Sequence, residues 1–142
     1  MTMLQFLVGV ILLLTPNEQL VDVGRNLQVR SIMTGQQHPV LQAEAEAHAA
    51  YQAKIRRQGH FGWDQIRYPR IRPQIPECNT FSEVVNESWP GQSQEAAAKE
   101  MYRSWKLSAG HWSAVNGPCR YYGYAMSLSD NGVWYACAIF AD

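Results

Sequence analysis

A chain of 142 residues is the size of one ordinary domain, long enough to bury about 70% of the surface its unfolded form exposes, so a single core is expected. Its 12 basic and 12 acidic side chains cancel, which removes the electrostatic footprint for binding phosphates or anionic lipid and makes nucleic acid an unexpected partner. Three cysteines, Cys78, Cys119 and Cys137, allow at most one internal disulfide and leave a thiol over, too few to define a disulfide scaffold.

Residues 1–14, MTMLQFLVGVILLL, form an apolar run shorter than the roughly 20 residues of a membrane-crossing helix, so an integral membrane protein is not expected. Two readings stand for this run. One is the core of a secretory signal peptide, against which count the lack of a basic n-region and of a small-x-small cleavage site. The other is a buried strand or an arm docked on a partner. Residues 15–142 read as one domain.

Thr15 suits an N-cap, with Pro16 at the first helical position and Glu18 three residues after the cap, the order of a capping box. A first helix follows, with Leu20, Val23 and Leu27 on one stripe. Gly35 and Pro39 interrupt it, and Pro39 opens a second helix that runs toward Gly59. This segment is rich in Ala, Gln, Glu and Lys, all good helix formers, and Val40, Ala43, Ala47 and Tyr51 recur on one face. Within it His48 reads as a helix-face residue, and His38, before Pro39, as a loop or capping residue.

From His60 to Phe81 the prolines Pro69, Pro73 and Pro76 forbid a long helix or central strand, so an ordered irregular loop is expected, carrying Arg67, Arg70 and Arg72. Helical spacing returns in QSQEAAAKEMYRSW, with Ser93 as N-cap and Ala97, Met101 and Trp105 at intervals of four. SAGHWSAV reads as a short extra helix capped by the Ser108 side chain. The tail holds two strand-like runs around Asn131 and Gly132, which suit the positive φ angles of a hairpin turn. A turn centred there pairs residue 137 near Met126, so Cys119 and Cys137 are not facing neighbours and no cross-strand bridge is implied. Helices first and a hairpin later give an α+β fold, an antiparallel sheet with helices packed on it.

From about Thr15 to Phe140 the order of pieces resembles the CAP superfamily, which groups cysteine-rich secretory proteins, antigen 5 and plant pathogenesis-related class 1 proteins with many bacterial relatives. The likeness rests on the Ala-rich helix leading to a histidine (AEAHAAYQAKIRRQGH), a Glu in a short apolar stretch (VVNESW), the run SWKLSAGHWSAVN and the closing hairpin GYAMSLSDNGVWYACAIF. Its W-x-x-S-x-G-H portion matches the bacterial form. The resemblance implies an α-β-α sandwich with a surface cleft lined by two histidines and two acids. Carried over, the histidines are His60 and His111, and the first acidic position is Glu87, with Glu83 as the fallback. The second acidic position matches Ser108, so the tetrad is incomplete and implies weak metal binding, because a hydroxyl binds a divalent cation more weakly than a carboxylate.

Two histidines and a carboxylate from distant segments suit zinc, as neutral imidazole and carboxylate are zinc ligands, and a weakly bound divalent metal at His60 and His111 is one expectation. No H-E-x-x-H helix accompanies them. The simpler expectation is a structural one, with His111 near the start of the short helix hydrogen-bonded to Glu87. Ser108 and His111, three apart, are the local nucleophile–base pair, yet Ser108 is better explained as an N-cap and no G-x-S-x-G elbow surrounds it. Glu83 and Glu87 on a strand would share a face, and nothing promotes them to a glycosidase pair. Asn86-Glu87-Ser88 fits the N-glycosylation pattern, but a buried, unmodified Asn86 is expected. The five tryptophans are expected mainly in the core.

The leading expectation is an exported CAP-type binding module, extracellular, that takes a small molecule, lipid or another protein in a cleft around His60, Glu87 and His111. Alternatives are a metal-assisted hydrolase of peptides or wall polymer, with His60 and His111 as ligands and a Glu as general base, and a structural component of an assembly docked through the apolar start.

Overall fold

The computed structural model describes residue 31 and residues 34–142. The apolar run 1–14 and the first predicted helix lie outside the described residues, except Ser31, which is helical and buried.

A two-residue strand β1 (Gln36–Gln37) leads into helix α1 (Pro39–Ile55). Pro39 occupies the first turn, and His38 caps the helix, its Nδ1 accepting the Val40 N–H at 3.1 Å. The helix ends at Arg56, which adopts the left-handed conformation (φ 54°). Strands β2 (Phe81–Glu87), β3 (Tyr121–Leu128) and β4 (Trp134–Ala141) join β1 in a four-stranded sheet of order β1-β3-β4-β2. Helices α3 (Gln94–Lys106) and α4 (Ala109–Val115) lie between β2 and β3 in the chain, and α2 (Tyr68–Ile71) lies in the segment before β2.

Strand alternation divides the core into two layers. Val84, Tyr122, Tyr124, Met126, Ala136, Ala138 and Phe140 point to one side, onto Ala97, Met101 and Trp105 of α3 and Val115 of α4. Val85, Ala125, Cys137, Ile139 and Ala141 point to the other, onto Leu41, Ala45 and Ala49 of α1 and Ile71 and Ile75. The molecule is thus α+β, with helix layers on both faces of the sheet. Interior β4 is buried along nearly its whole length, which explains its continuous apolar run, WYACAIFA.

Two residues let α1 lie close. A Cβ on Gly123 would fall inside contact distance of the Leu41 carbonyl and the Gln42 nitrogen, so only glycine fits beneath the helix. Beyond β1, the outer edge of β3 pairs with no strand among the described residues, and Gln42 covers it: its Oε1 accepts the Tyr124 N–H (2.9 Å) and its Nε2 donates to the Tyr124 carbonyl (2.8 Å).

Several expectations change. The sheet is mixed, because β1 runs parallel to β3. The face of α1 turned to the sheet is Leu41, Ala45, His48, Ala49, Gln52 and Ala53, whereas Ala43, Ala47 and Tyr51 are exposed and Val40 is half-buried. Alanine populates every side of this helix, so apolarity does not single out one stripe; the close approach at Gly123 does. Residues 60–80 contain a π-helical turn (Trp63–Arg67), α2 and a 3-10 turn (Arg72–Gln74), with Pro69 and Pro73 in first turns where their missing N–H goes unused. Cys137 pairs with Ala125 rather than Met126. The loop is Ser129–Val133, closed by Ser129 N–H to the Val133 carbonyl (2.9 Å), which moves the register one place from a turn centred between Asn131 and Gly132. Ser93 caps α3 as expected, accepting the Ala96 N–H at 3.2 Å. Ser108 precedes α4, but its side chain makes no capping bond, and its carbonyl accepts the Trp112 N–H instead.

Candidate functional site

The site grows from one buried carboxylate. Glu83 sits mid-strand on β2, opposite Ile139, and shares the α1-facing side of the sheet with Val85. An ionised acid there has lost its water and needs compensation. Arg67 supplies it with a two-pronged grip, Nε to Oε2 at 2.9 Å and Nη2 to Oε1 at 2.7 Å. His60 donates from Nδ1 to Oε1 at 2.9 Å, and the Cys137 thiol approaches Oε2 at 3.7 Å.

Arg67 reaches inward because of the π-helical turn. Gly62 begins it at φ 74°, and its carbonyl accepts both the Ile66 and Arg67 N–H groups, so the wider ring delivers the arginine to the strand. Arg67 Nη1 also donates to the Phe61 carbonyl, and its guanidinium lies 5.9 Å from the Trp63 ring centroid.

His48 completes the group from the buried side of α1. Its Nε2 donates to the Gly59 carbonyl at 2.7 Å and lies 3.9 Å from Glu83 Oε1. The carbonyl accepts only, so Nε2 carries the proton. Gln52, one turn on, fixes the same loop: its Oε1 accepts the Gly59 N–H (3.0 Å) and its Nε2 donates to the Ala136 carbonyl (3.1 Å).

These surroundings set the ionisation. Burial works to raise the Glu83 pKa, but the His60 and Arg67 hydrogen bonds and the Arg67 charge outweigh it and hold the carboxyl below the ordinary range. Burial lowers the His48 pKa below that of free imidazole, against the upward pull of the Gly59 carbonyl and Glu83. Burial pushes the Cys137 thiol well up, as the neighbouring Glu83 charge also does.

Beside this cluster opens a hollow of about 350 Å³, walled by Ala47, Tyr51, Phe61 and Ile66 and reaching His48 and Arg67. Tyr51 and Ile66 are 48% and 57% exposed, an apolar wall that faces outward among the described residues. At its rim Arg70 grips Glu44 with two bonds of 2.7 and 2.8 Å. Each arginine at the hollow is therefore already paired with a carboxylate.

Of the sequence-derived residues, His60 and Glu83 meet. Glu87, the carboxylate favoured by the resemblance, is exposed at the end of β2 and makes no bond to either histidine among the described residues. Glu83 lies in the middle of the strand, where Arg67 and His60 reach it. His111 and Ser108 belong to the α3–α4 side of the sheet, and neither bonds to the other, to Glu87 or to the Glu83 cluster among the described residues. The expected His111–Glu87 bond is therefore not formed. Asn86 is half-buried and donates to the Met101 carbonyl at 3.3 Å. Cys78, Cys119 and Cys137 are free and buried.

The zinc expectation does not fit this donor set. Both Glu83 oxygens are held by Arg67, the His48 Nε2 proton is committed to a carbonyl, and His60 and His111 belong to different layers. Among the described residues no group of three or more His, Cys, Asp or Glu side chains is arranged to hold a metal ion. Sequence reasoning missed His48 and the grip of Arg67. The available signal was a cluster of arginines in a proline-rich segment.

No protein-family model matches the chain, and no curated protein matches it. Among solved structures, an outer surface protein from Borrelia burgdorferi is similar, with a TM-score of 0.65 at 13% identity, over 89% of this chain and 88% of that one. The likeness shows a shared fold. Among the described residues no helix is long and apolar enough to cross a membrane.

Proposed function

We propose that the chain is an exported binding module of the CAP type, which takes a small apolar molecule or lipid chain in the hollow beside the Glu83 cluster. The observation that carries this reading is an exposed apolar wall, Tyr51, Phe61 and Ile66, beside charges that are all paired internally. Such a site offers apolar contact and shape with no free ion to neutralise a charged ligand, and its volume falls within the range of small-molecule pockets. The helix–sheet–helix layering and the quoted motifs support the CAP assignment. The surface location named for the similar Borrelia protein supports export.

A general base needs a free oxygen or nitrogen aimed at substrate, and Glu83 has neither oxygen to spare. The binding reading is therefore preferred over the metal-assisted hydrolase. Titration with the neutral fluorescent probe N-phenyl-1-naphthylamine, below its solubility limit, tests it. Saturable one-to-one binding is expected, weakened about tenfold or more by Ile66→Asp and by Ala47→Arg. Non-saturable uptake, or equal binding by both variants, would refute the reading.

A further inference from the structure

We infer that the chain carries a second site, around Trp89, for a neutral saccharide. Trp89 follows β2 and is 68% exposed, the placement least expected of so large an apolar ring. It is also held firmly. Its N–H donates to Gln92 Oε1 (3.1 Å), its carbonyl accepts the Ser88 hydroxyl (2.8 Å), and that hydroxyl accepts the Trp134 N–H (2.9 Å). Arg103 grips the Glu100 carboxylate at the edge of the same hollow with two bonds of 3.1 and 2.8 Å. A solvent-facing indole on an anchored backbone is a stacking platform rather than a stray core residue.

Beside the ring lies a hollow of about 260 Å³, edged by Gln58, Asn86, Glu87, Glu100 and Ser104. Asn86 and Glu100 are committed to protein partners. The side chains of Gln58, Glu87 and Ser104 make no hydrogen bond or ion pair among the described residues, so a donor–acceptor amide, a carboxylate and a hydroxyl remain free. Among the described residues no Lys or Arg lines the hollow, and Glu87 and Glu100 do, which disfavours an anion. Sugar rings match this pairing of surfaces. Their C–H face carries partial positive charge and stacks on the electron-rich indole face, while their hydroxyls turn to acceptors and donors at the edge. The two hollows share no lining residue, so this site stands apart from the one proposed for an apolar ligand.

The test titrates the intact chain with cellohexaose, chitohexaose and maltohexaose, followed by indole fluorescence and calorimetry. At least one is expected to saturate with a dissociation constant below about 10 mM. Trp89→Ala and Gln58→Ala should weaken it, the former about tenfold or more, with Trp89→Phe retaining part of the affinity. Ile66→Asp, in the other hollow, should leave it unchanged, which separates failure of one site from failure of the other. Circular dichroism and unfolding midpoints confirm that each variant is folded. The proposal is overturned if no hexasaccharide binds up to about 10 mM, if both the Trp89→Ala and Gln58→Ala variants bind as well as the parent, or if a tetralysine peptide outcompetes the sugars there.

Discussion

Arg67 Nη2 lies 2.7 Å from Glu83 Oε1, and both side chains are almost wholly buried, at 8% and 1% exposure. The pair ties the segment before β2 to the sheet, and Arg67 also lines the apolar hollow. Arg67→Met removes the main partner of a buried carboxylate and should destabilise the fold by about 3–5 kcal/mol. Arg67→Lys, which cannot reproduce the two-pronged grip, should recover only part of that. Urea unfolding of the three proteins checks the order.

Acid should weaken the fold in two stages. The His48 pKa is depressed by burial, so its contribution is present above the unfolded value of about 6.5 and is lost as pH falls from there toward its folded value. Glu83 is also depressed, so its contribution is present above about 4.3 and fades as pH falls through its lower folded value. Unfolding free energy measured against pH should therefore begin to drop below about pH 6.5. His48→Gln should flatten the upper stage and leave the lower one.

Gly123 should be intolerant of the smallest substitution. In Gly123→Ala the new methyl meets α1 backbone at Leu41 and Gln42, which cannot swing aside as a side chain would. The helix must lift and the Gln42–Tyr124 bonds must lengthen, for an expected loss of about 1–3 kcal/mol or more. Hydrogen exchange at the Tyr124 amide, which Gln42 protects, should rise sharply.

All three thiols should be silent in the native state. Burial pushes the Cys119 thiol up to about 12 and Cys137 well above its ordinary value, so neither offers thiolate near neutral pH. An aromatic disulfide reagent should label none of the three quickly without denaturant and all three with it. Reductant should leave the unfolding midpoint unchanged.

Sequence signals are legible here where they act locally. Ser93 marks the start of α3, and the intervals to Met101 and Trp105 mark its buried side. Asn131 and Gly132 mark the hairpin but place its register one residue off, since turn chemistry locates a loop more surely than it closes it. Strand β1 leaves no trace in the sequence, because two residues carry no periodicity and its pairing with Tyr121 and Tyr122 is entirely long-range. The candidate site is half legible. The resemblance picks out His60 but holds Glu83 only as the fallback to Glu87, and nothing local tells which carboxylate an arginine sixteen residues upstream will reach. His48 carries no local mark of its role because the core side of α1 is set by Gly123 across the sheet.

The central claim, an apolar ligand held beside the Glu83 cluster, is tested most directly by amide NMR during titration with N-phenyl-1-naphthylamine. Saturable shifts centred on Ala47, Tyr51, Gly62 and Ile66 are predicted, with the Trp89 and Glu87 amides unmoved. Shifts spread evenly over the molecule, or centred away from those residues, would contradict it.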